Sequence, residues 1–317
     1  MIAYIFRRVL YVIPISLGVT ILIFALVHIA PGDPLNAVVA PDAPAETVEE
    51  LRIAYGFDRP LPVQYLIWLR RAVVGDLGVS IATGRPVAGA LVIAVPNTLM
   101  LAVGASLVGF VLGSIFGGIA GYHEGRWLDK LATTIAITGI SVPHYWLGMV
   151  LVIVFAVEMN ALPAMGMGPG GSVAWAWDLA HLRHLVLPVI TLAVIPMGIV
   201  TRTVRASVSE ILNQEFVQTL YSKGLWNRQV LVHVIKNSAP TVLAVMGLQL
   251  GYLLGGSILV EVVFSWPGTG FLLNDAIFRR DIPLLQGTIL VLALFFVFLN
   301  LIVDIIQTVI DPRMGRD

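Results

Sequence analysis

Six stretches of this chain run without a single Asp, Glu, Lys or Arg: 9–30, 99–122, 131–157, 185–200, 238–260 and 282–303. A helix needs about 20 apolar residues to cross a bilayer core. Runs of this length leave few folds open, because a soluble core cannot absorb so much apolar surface and a bilayer can. The expectation is an all-α integral membrane protein of about six transmembrane helices. Only 12% of the 317 residues are charged, about half the share usual in soluble domains. The fourth run is short and is interrupted by Pro188 and Pro196. The third begins as an interfacial helix ahead of Ser141-Val142-Pro143.

Net charge is zero, so no nucleic-acid footprint is expected. The chain has no cysteine, which excludes disulfides and thiolate metal sites. The first run, behind Arg7 and Arg8, is too long for the apolar region of a signal peptide, and no Ala-x-Ala follows it directly. It reads as a retained anchor.

Orientation follows from Lys and Arg. With the N-terminus inside, the inner segments hold Arg7, Arg8, Arg126, Lys130, Arg202, Arg205, Lys223, Arg228, Lys236, Arg313 and Arg316, eleven of the 19. Five of the outer eight, Arg52, Arg59, Arg70, Arg71 and Arg85, fall in one long segment, where the rule is weak. The short outer loops keep Arg183, Arg279 and Arg280. Both termini are therefore expected in the cytoplasm.

The outer segment 31–96 is not a linker. Residues 45–55 have a helical charge order, and 63–74 reads as an amphipathic helix with Trp68, Arg70 and Arg71. The segment is either a small folded cap on the outer face or a surface-lying stretch without a partner. The inner segment 203–237 carries Val208, Ile211, Leu212, Phe216, Thr219 and Leu220 at helical spacing, then Gly224, then a second helical stretch over 227–236. Helix, glycine turn, helix is a docking shape, since a solvated loop would not usually keep an apolar stripe.

Chemistry-bearing motifs are few. Gly166, Gly168 and Gly171 form a GxGxxG match, but it follows a membrane run instead of linking a strand to a helix. His181 and His184 are three apart without an obvious third ligand. No phosphate-cradling loop and no nucleophile elbow occurs. Glu261 and Asp304 close the fifth and sixth runs, where each could line a path or pair with an Arg; His28 and Glu158 lie at outer span ends. Two glycine ladders are more telling. Gly109, Gly113, Gly117 and Gly121 recur every fourth residue, as do Gly247, Gly251 and Gly255. Such spacing makes a flat helix face on which another backbone can approach closely.

These residues carry a resemblance. Arg7-Arg8, Ile13-Pro14, Leu17-Gly18-Val19 and Pro31-Gly32-Asp33-Pro34 open the chain. Tyr55-Gly56-Phe57-Asp58-Arg59-Pro60, Gly75-Asp76-Leu77-Gly78 and Pro96-Asn97-Thr98 follow. Then come Leu187-Pro188, Phe264-Ser265-Trp266-Pro267-Gly268, Arg279-Arg280-Asp281, Asn300-Leu301-Ile302-Val303-Asp304 and Asp311-Pro312-Arg313. In this order they resemble, nearly end to end, the permease subunits of bacterial ABC importers for dipeptides, oligopeptides and nickel, and specifically the first of the two paired permeases.

The resemblance implies a type I importer transmembrane domain over 1–317, in the bacterial inner membrane and in contact with lipid. It implies a second homologous permease, two ATP-binding subunits and an external substrate-binding protein. ATP and Mg would be bound by those partner ATPases, with no cofactor in this chain and no catalysis by it. The family's coupling segment maps onto 215–237, with its signature glycine at Gly224. Gln218, Thr219, Leu220, Ser222, Lys223, Gly224 and Leu225 are the expected ATPase-coupling residues. Relatives commonly have small residues and an Arg where Leu220, Tyr221 and Ser222 stand, so bulky Leu220 and Tyr221 imply a matching cleft. A lone secondary transporter or channel is the other reading. It would often show inverted repeats and internal charges, which the sequence lacks. A membrane-embedded hydrolase has no supporting motif.

Overall fold

Inside a bilayer the backbone has no water to bond, so apolar runs fold into helices that satisfy themselves. The computed structural model describes residues 2–29, 44, 46, 49–50, 52–53, 58–172 and 174–310, and no strand is formed among the described residues. The helices are α1 Ile2–Ile29, α2 Leu61–Val73, α3 Val87–Tyr122, α4 Trp127–Ser141, α5 His144–Leu151, α6 Leu179–Leu212, α7 Glu215–Ser222, α8 Asn227–Val263, α9 Thr269–Arg279 and α10 Ile282–Ile310. A π-helical stretch, Val152–Glu158, continues α5.

Four of these, α3, α6, α8 and the Ile282–Val303 part of α10, are long and apolar enough to cross a membrane, and the bent pair from Trp127 to Glu158 makes a fifth. In α1 the apolar helix with described side chains is shorter, Leu10–Ala25. The six runs thus become four spans, one broken span and α1. Of the expected helix over 45–55, residues 46, 49–50 and 52–53 are described and helical; the rest lies outside the described residues, as do the side chains of His28 and Asp304.

The chain forms two compact units. One contains 1–5, 99–266 and 299–317; the other contains 6–98 and 267–298. In the second unit α2 lies against α1. Thr20 Oγ1 and Tyr65 Oη are 2.9 Å apart, and the Phe24 ring meets Tyr65 edge-on at 5.5 Å. The amphipathic helix expected within 31–96 therefore packs on a neighbour in this chain.

Further along, Asp281 caps α10 and holds a loop. Its fully buried carboxylate accepts from the Ser80 hydroxyl and from the N–H groups of Ile81, Ala82 and Leu284, each at 3.2 Å. Hydrogen bonds to a charged acceptor contribute about 1.5–3 kcal/mol each, and orphaning them costs more than their mean. Asp281→Ala should free the 78–86 loop and open it to cleavage by proteinase K at least tenfold faster. Unchanged cleavage would show that the carboxylate is dispensable.

In the first unit the glycine ladder of α3 meets the backbone of α6. A methyl at Gly109, Gly113, Gly117 or Gly121 would stand 3.0, 2.8, 2.5 and 2.8 Å from the carbonyl oxygens of Ala193, Met197, Thr201 and Arg205. Both ladders advance by four residues, so the two helices touch along four turns with no side chain between them on the α3 side. The second ladder divides. A methyl at Gly247 would overlap Val303 and Gly251 is buried, but Gly255 faces open space. The packing role expected of Gly255 is not fulfilled by any neighbour within this chain.

Helix α4 runs along α6, because glycines remove the spacing side chains: Gly198 abuts the Ala136 carbonyl and Gly139 abuts Val194.

Candidate functional site

The segment 203–237 is less a loop than a stalk. α6 continues past the apolar run to Leu212, and α8 already starts at Asn227. The reason is a shared apolar core. Val200, Val204, Val208 and Ile211 of α6 pack with Val217 of α7 and with Val230, Val234 and Val242 of α8. At 1.5 Å per residue, α6 and α8 are about 50 and 55 Å long, well beyond the ~30 Å hydrocarbon core.

Helix α7 is a single amphipathic element of eight residues. Phe216, Val217 and Leu220 turn into the stalk core, while Gln218, Thr219, Tyr221 and Ser222 remain exposed. The helix stops in a left-handed glycine turn. Leu225 N–H donates to the Leu220 carbonyl at 3.2 Å and Gly224 N–H to the Tyr221 carbonyl at 2.9 Å, with Gly224 at φ +81°. That is the Schellman arrangement. Its apolar pair, Leu220 and Leu225, lies on the same core. A methyl at Gly224 would touch nothing, so backbone conformation, not space, requires glycine here.

The expected coupling residues therefore fall into two groups. Gln218, Thr219, Ser222, Lys223 and Gly224 form one exposed edge. Leu220 and Leu225 pack on the stalk core and build the turn, and Tyr221 is the bulky exposed residue of the helix. Sequence reasoning missed Trp226, which stands 80% exposed at the start of α8 beside the same turn. Its place two residues past the glycine stop was the available signal, set against the usual preference of tryptophan for the interior.

Below the turn, an apolar groove of about 670 Å³ runs between α3 and α8. Ser114, Gly118 and Ile119 form one wall, Leu231 and Ala239 the other, and Val204 and Val208 lie between them. Where α3 touches α6 it is tightly packed, whereas along α8 it leaves a gap.

The base of the stalk is tied by charge. Asp129 of α4 is 4% exposed. It accepts two hydrogen bonds from Arg205 of α6, Nε at 2.5 Å and Nη2 at 2.9 Å, and one from the Gly125 N–H at 2.9 Å. Ser209 donates to Glu124 at 2.5 Å. These bonds fix the α3–α4 turn to α6 about two to three turns before α7 begins.

The other motifs resolve into structure. His181 is held by the Asp178 carboxylate, Nδ1 to Oδ1 at 2.7 Å, and the same carboxylate caps α6. The two bonds from His181 hold Asp178 below the ordinary carboxylate range. His184 faces the Ala180 carbonyl at 2.8 Å. The glycines at 166, 168 and 171 sit in an irregular loop with one 3-10 turn, Pro169–Gly171, and Gly168 is covered by the His181 ring. Glu261 is fully buried near the end of α8.

Comparison with known proteins agrees with this architecture. Residues 109–316 match the family model described as binding-protein-dependent transport system inner membrane component, and residues 1–102 match that of its N-terminal region. The chain is 38% identical over 315 residues to the glutathione transport system permease protein GsiC of Escherichia coli (strain K12), covering 99% of each. It is 35% identical over 333 residues to the dipeptide transport system permease protein DppB of Alkalihalophilus pseudofirmus, again covering 99% of each. Among solved structures, the MetNI methionine ABC transporter, in inward-facing conformations, superposes at a TM-score of 0.58 with 16% identity, over 69% of this chain and 95% of that one.

Proposed function

Because this chain belongs to the binding-protein-dependent transport system inner membrane component family, the permeases of ABC importers, we propose that it carries short peptides inward and is gripped on α7 by an ATPase. The observation that supports this most is the exposed edge Gln218–Gly224, backed by Trp226, on a helix whose inner side packs on the apolar core of the stalk. A docking helix needs one face to hold it and one to offer, and α7 has both. The relatives are named for glutathione and dipeptides, so the proposed solutes are peptides of two or three residues.

The rest of the assembly follows the family. A second, similar permease completes the pathway, two ATPases bind ATP and Mg, and an external binding protein delivers solute. Both termini and α7 face the cytoplasm, and 1–317 acts as one permease domain. This chain contributes two arrangements and no bond-breaking chemistry. ATP must favour one arrangement over the other, or nothing moves. The α3–α6 contact has no slack, while the groove along α8 has. A pull on α7 is therefore taken up by α8 tilting into the gap.

Gly224→Val tests this reading. A β-branched residue at φ +81° unwinds the turn. The ATPase should fail to co-purify, and uptake of labelled glutathione and alanyl-alanine into vesicles should fall at least tenfold. Normal co-purification and uptake would remove α7 as the coupling site, and a reporter at Lys223 scoring outside the cytoplasm would do the same.

A further inference from the structure

The groove between α3 and α8 is polar at one end. Apart from Ser114 and Ser238, its polar lining is Tyr122, His123, Asn227 and Arg228, from the end of α3 and the start of α8. Beyond them the walls are apolar as far as Met246. The groove also opens sideways, since Ile115 and Ile119 on one wall and Leu231 and Ile235 on the other are exposed. On spanning helices such side chains meet lipid. Arg228 to Met246 is a length of about 27 Å along α8. A volume of about 670 Å³ over that length leaves a slot roughly 5 Å across, about half the width of a helix. One hydrocarbon chain fits such a slot and a helix of a neighbouring subunit does not. An apolar cavity stays dry, and an empty one forfeits packing contacts.

A chain alone would bring no preference, because lipid tails are as apolar as the walls. The mouth supplies one. Arg228 is the one Lys or Arg in the lining, and no Asp or Glu lines it. Among the described residues Arg228 has no acidic partner. The acids of the α3–α4 turn, Glu124 and Asp129, are occupied by Ser209 and Arg205 of α6. His123 is steadied by its Nδ1–H, which donates to the Ile119 carbonyl at 3.0 Å, and by an edge contact with the Tyr122 ring at 5.2 Å. The level of the mouth suits a headgroup. Tyr122 and Trp127 stand exposed on either side of the α3–α4 turn, as aromatic residues do at a membrane interface.

We infer that this groove binds one anionic phospholipid, with an acyl chain between α3 and α8 and the phosphate at Arg228. Basic pockets between spans on the cytoplasmic side take such headgroups. One Arg near an anionic headgroup is worth about fivefold in binding, which sets the expected preference for phosphatidylglycerol over zwitterionic phosphatidylcholine. The inner leaflet as the source rests on the cytoplasmic reading of α7 above. Because α8 is proposed to tilt into the same gap, the chain occupies it in the untilted arrangement.

The complete transporter in phosphatidylcholine vesicles, without nucleotide, is given a trace of phosphatidylglycerol or phosphatidylcholine with a photoreactive diazirine halfway along one acyl chain, and labelled peptides are identified by mass. Phosphatidylglycerol should label 114–122 and 231–246 about fivefold more than phosphatidylcholine does. The exposed stretch around Leu107 and Val111 of α3 should take both equally, which reports an intact, embedded protein. Arg228→Gln should bring the phosphatidylglycerol label down to the phosphatidylcholine level, and Arg228→Lys should keep it. Gly118→Phe should remove both labels from the groove, because a side chain at 118 enters the slot and its first carbon meets nothing within 4 Å. Unlabelled groove peptides in the wild type would mean that another protein element fills the slot. Equal labelling by the two lipids, or a preference that survives Arg228→Gln, would mean that the mouth reads no charge. Each of these overturns the inference. Labelling does not depend on which leaflet supplies the lipid, so a reporter at Lys223 scoring outside the cytoplasm would sink the cytoplasmic reading and leave the site standing.

Discussion

Gly117→Ala should destabilise the first unit by up to about 2 kcal/mol, while Gly118→Ala, one residue on, should be neutral or slightly stabilising. Alanine is favoured over glycine by about 1 kcal/mol within a helix, and both substitutions gain that. The difference lies in what each methyl meets. At 117 it would stand 2.5 Å from the Thr201 carbonyl oxygen and 2.7 Å from the Val204 Cβ, whereas at 118 nothing lies within 4 Å. A backbone oxygen cannot swing aside, so α3 and α6 must separate. Overpacking of a close contact costs about 1–3 kcal/mol, and here the contact continues for three further glycines. Thermal unfolding of the purified protein in detergent reads both variants. Equal midpoints would mean that the two helices are not held at glycine distance.

The second large effect is asymmetric. Arg205→Ala should cost about 3–5 kcal/mol, the usual loss when one member of a buried ion pair is removed, and Asp129→Asn only about 1 kcal/mol. The asymmetry follows from exposure. The Asp129 side chain is 5% exposed and the Arg205 side chain 31%. Without Arg205 the carboxylate keeps bonds from Gly125 and Thr133 but loses its counter-ion in a site water barely reaches. Without the charge on Asp129, the guanidinium can turn outward. Midpoints from the same unfolding experiment decide it, and a larger loss for Asp129→Asn would reverse the assignment of the buried partner.

Much of the fold was legible because lipid imposes long runs, and such runs are hard to miss. What the runs misjudged were ends and joints. The run 185–200 stops where Arg202 and Arg205 begin, yet α6 continues to Leu212 because Arg205 has Asp129 to pair with and Val204, Val208 and Ile211 have Val230 and Val234 to pack on. Charge marks a span's edge only when the charged residue has no partner. Pro143 announced the break in the third run but not its depth, which depends on Gly139 and Gly198 letting α4 lie against α6. The π-helical stretch Val152–Glu158 left no trace, since its residues are apolar on every side but its last.

At the candidate site, Gly224 could be read as a stop, but the direction of its flanking leucines could not. Leu220 and Leu225 are apolar in sequence whether they anchor inward or project outward. Only the core beneath them decides, and it decides for inward. Trp226 misleads in the opposite sense, being the kind of residue usually found inside.

The 37-residue continuity of α8 has a mechanical consequence. A rod of this length, about 55 Å at 1.5 Å per residue, magnifies small rotations. Pivoting by about 10° at the Trp226 end sweeps the opposite tip through nearly 10 Å, wider than an extended peptide backbone is thick. A modest nudge from a motor could thus open or shut a gate far from where the force is applied, with no hinge needed along the way.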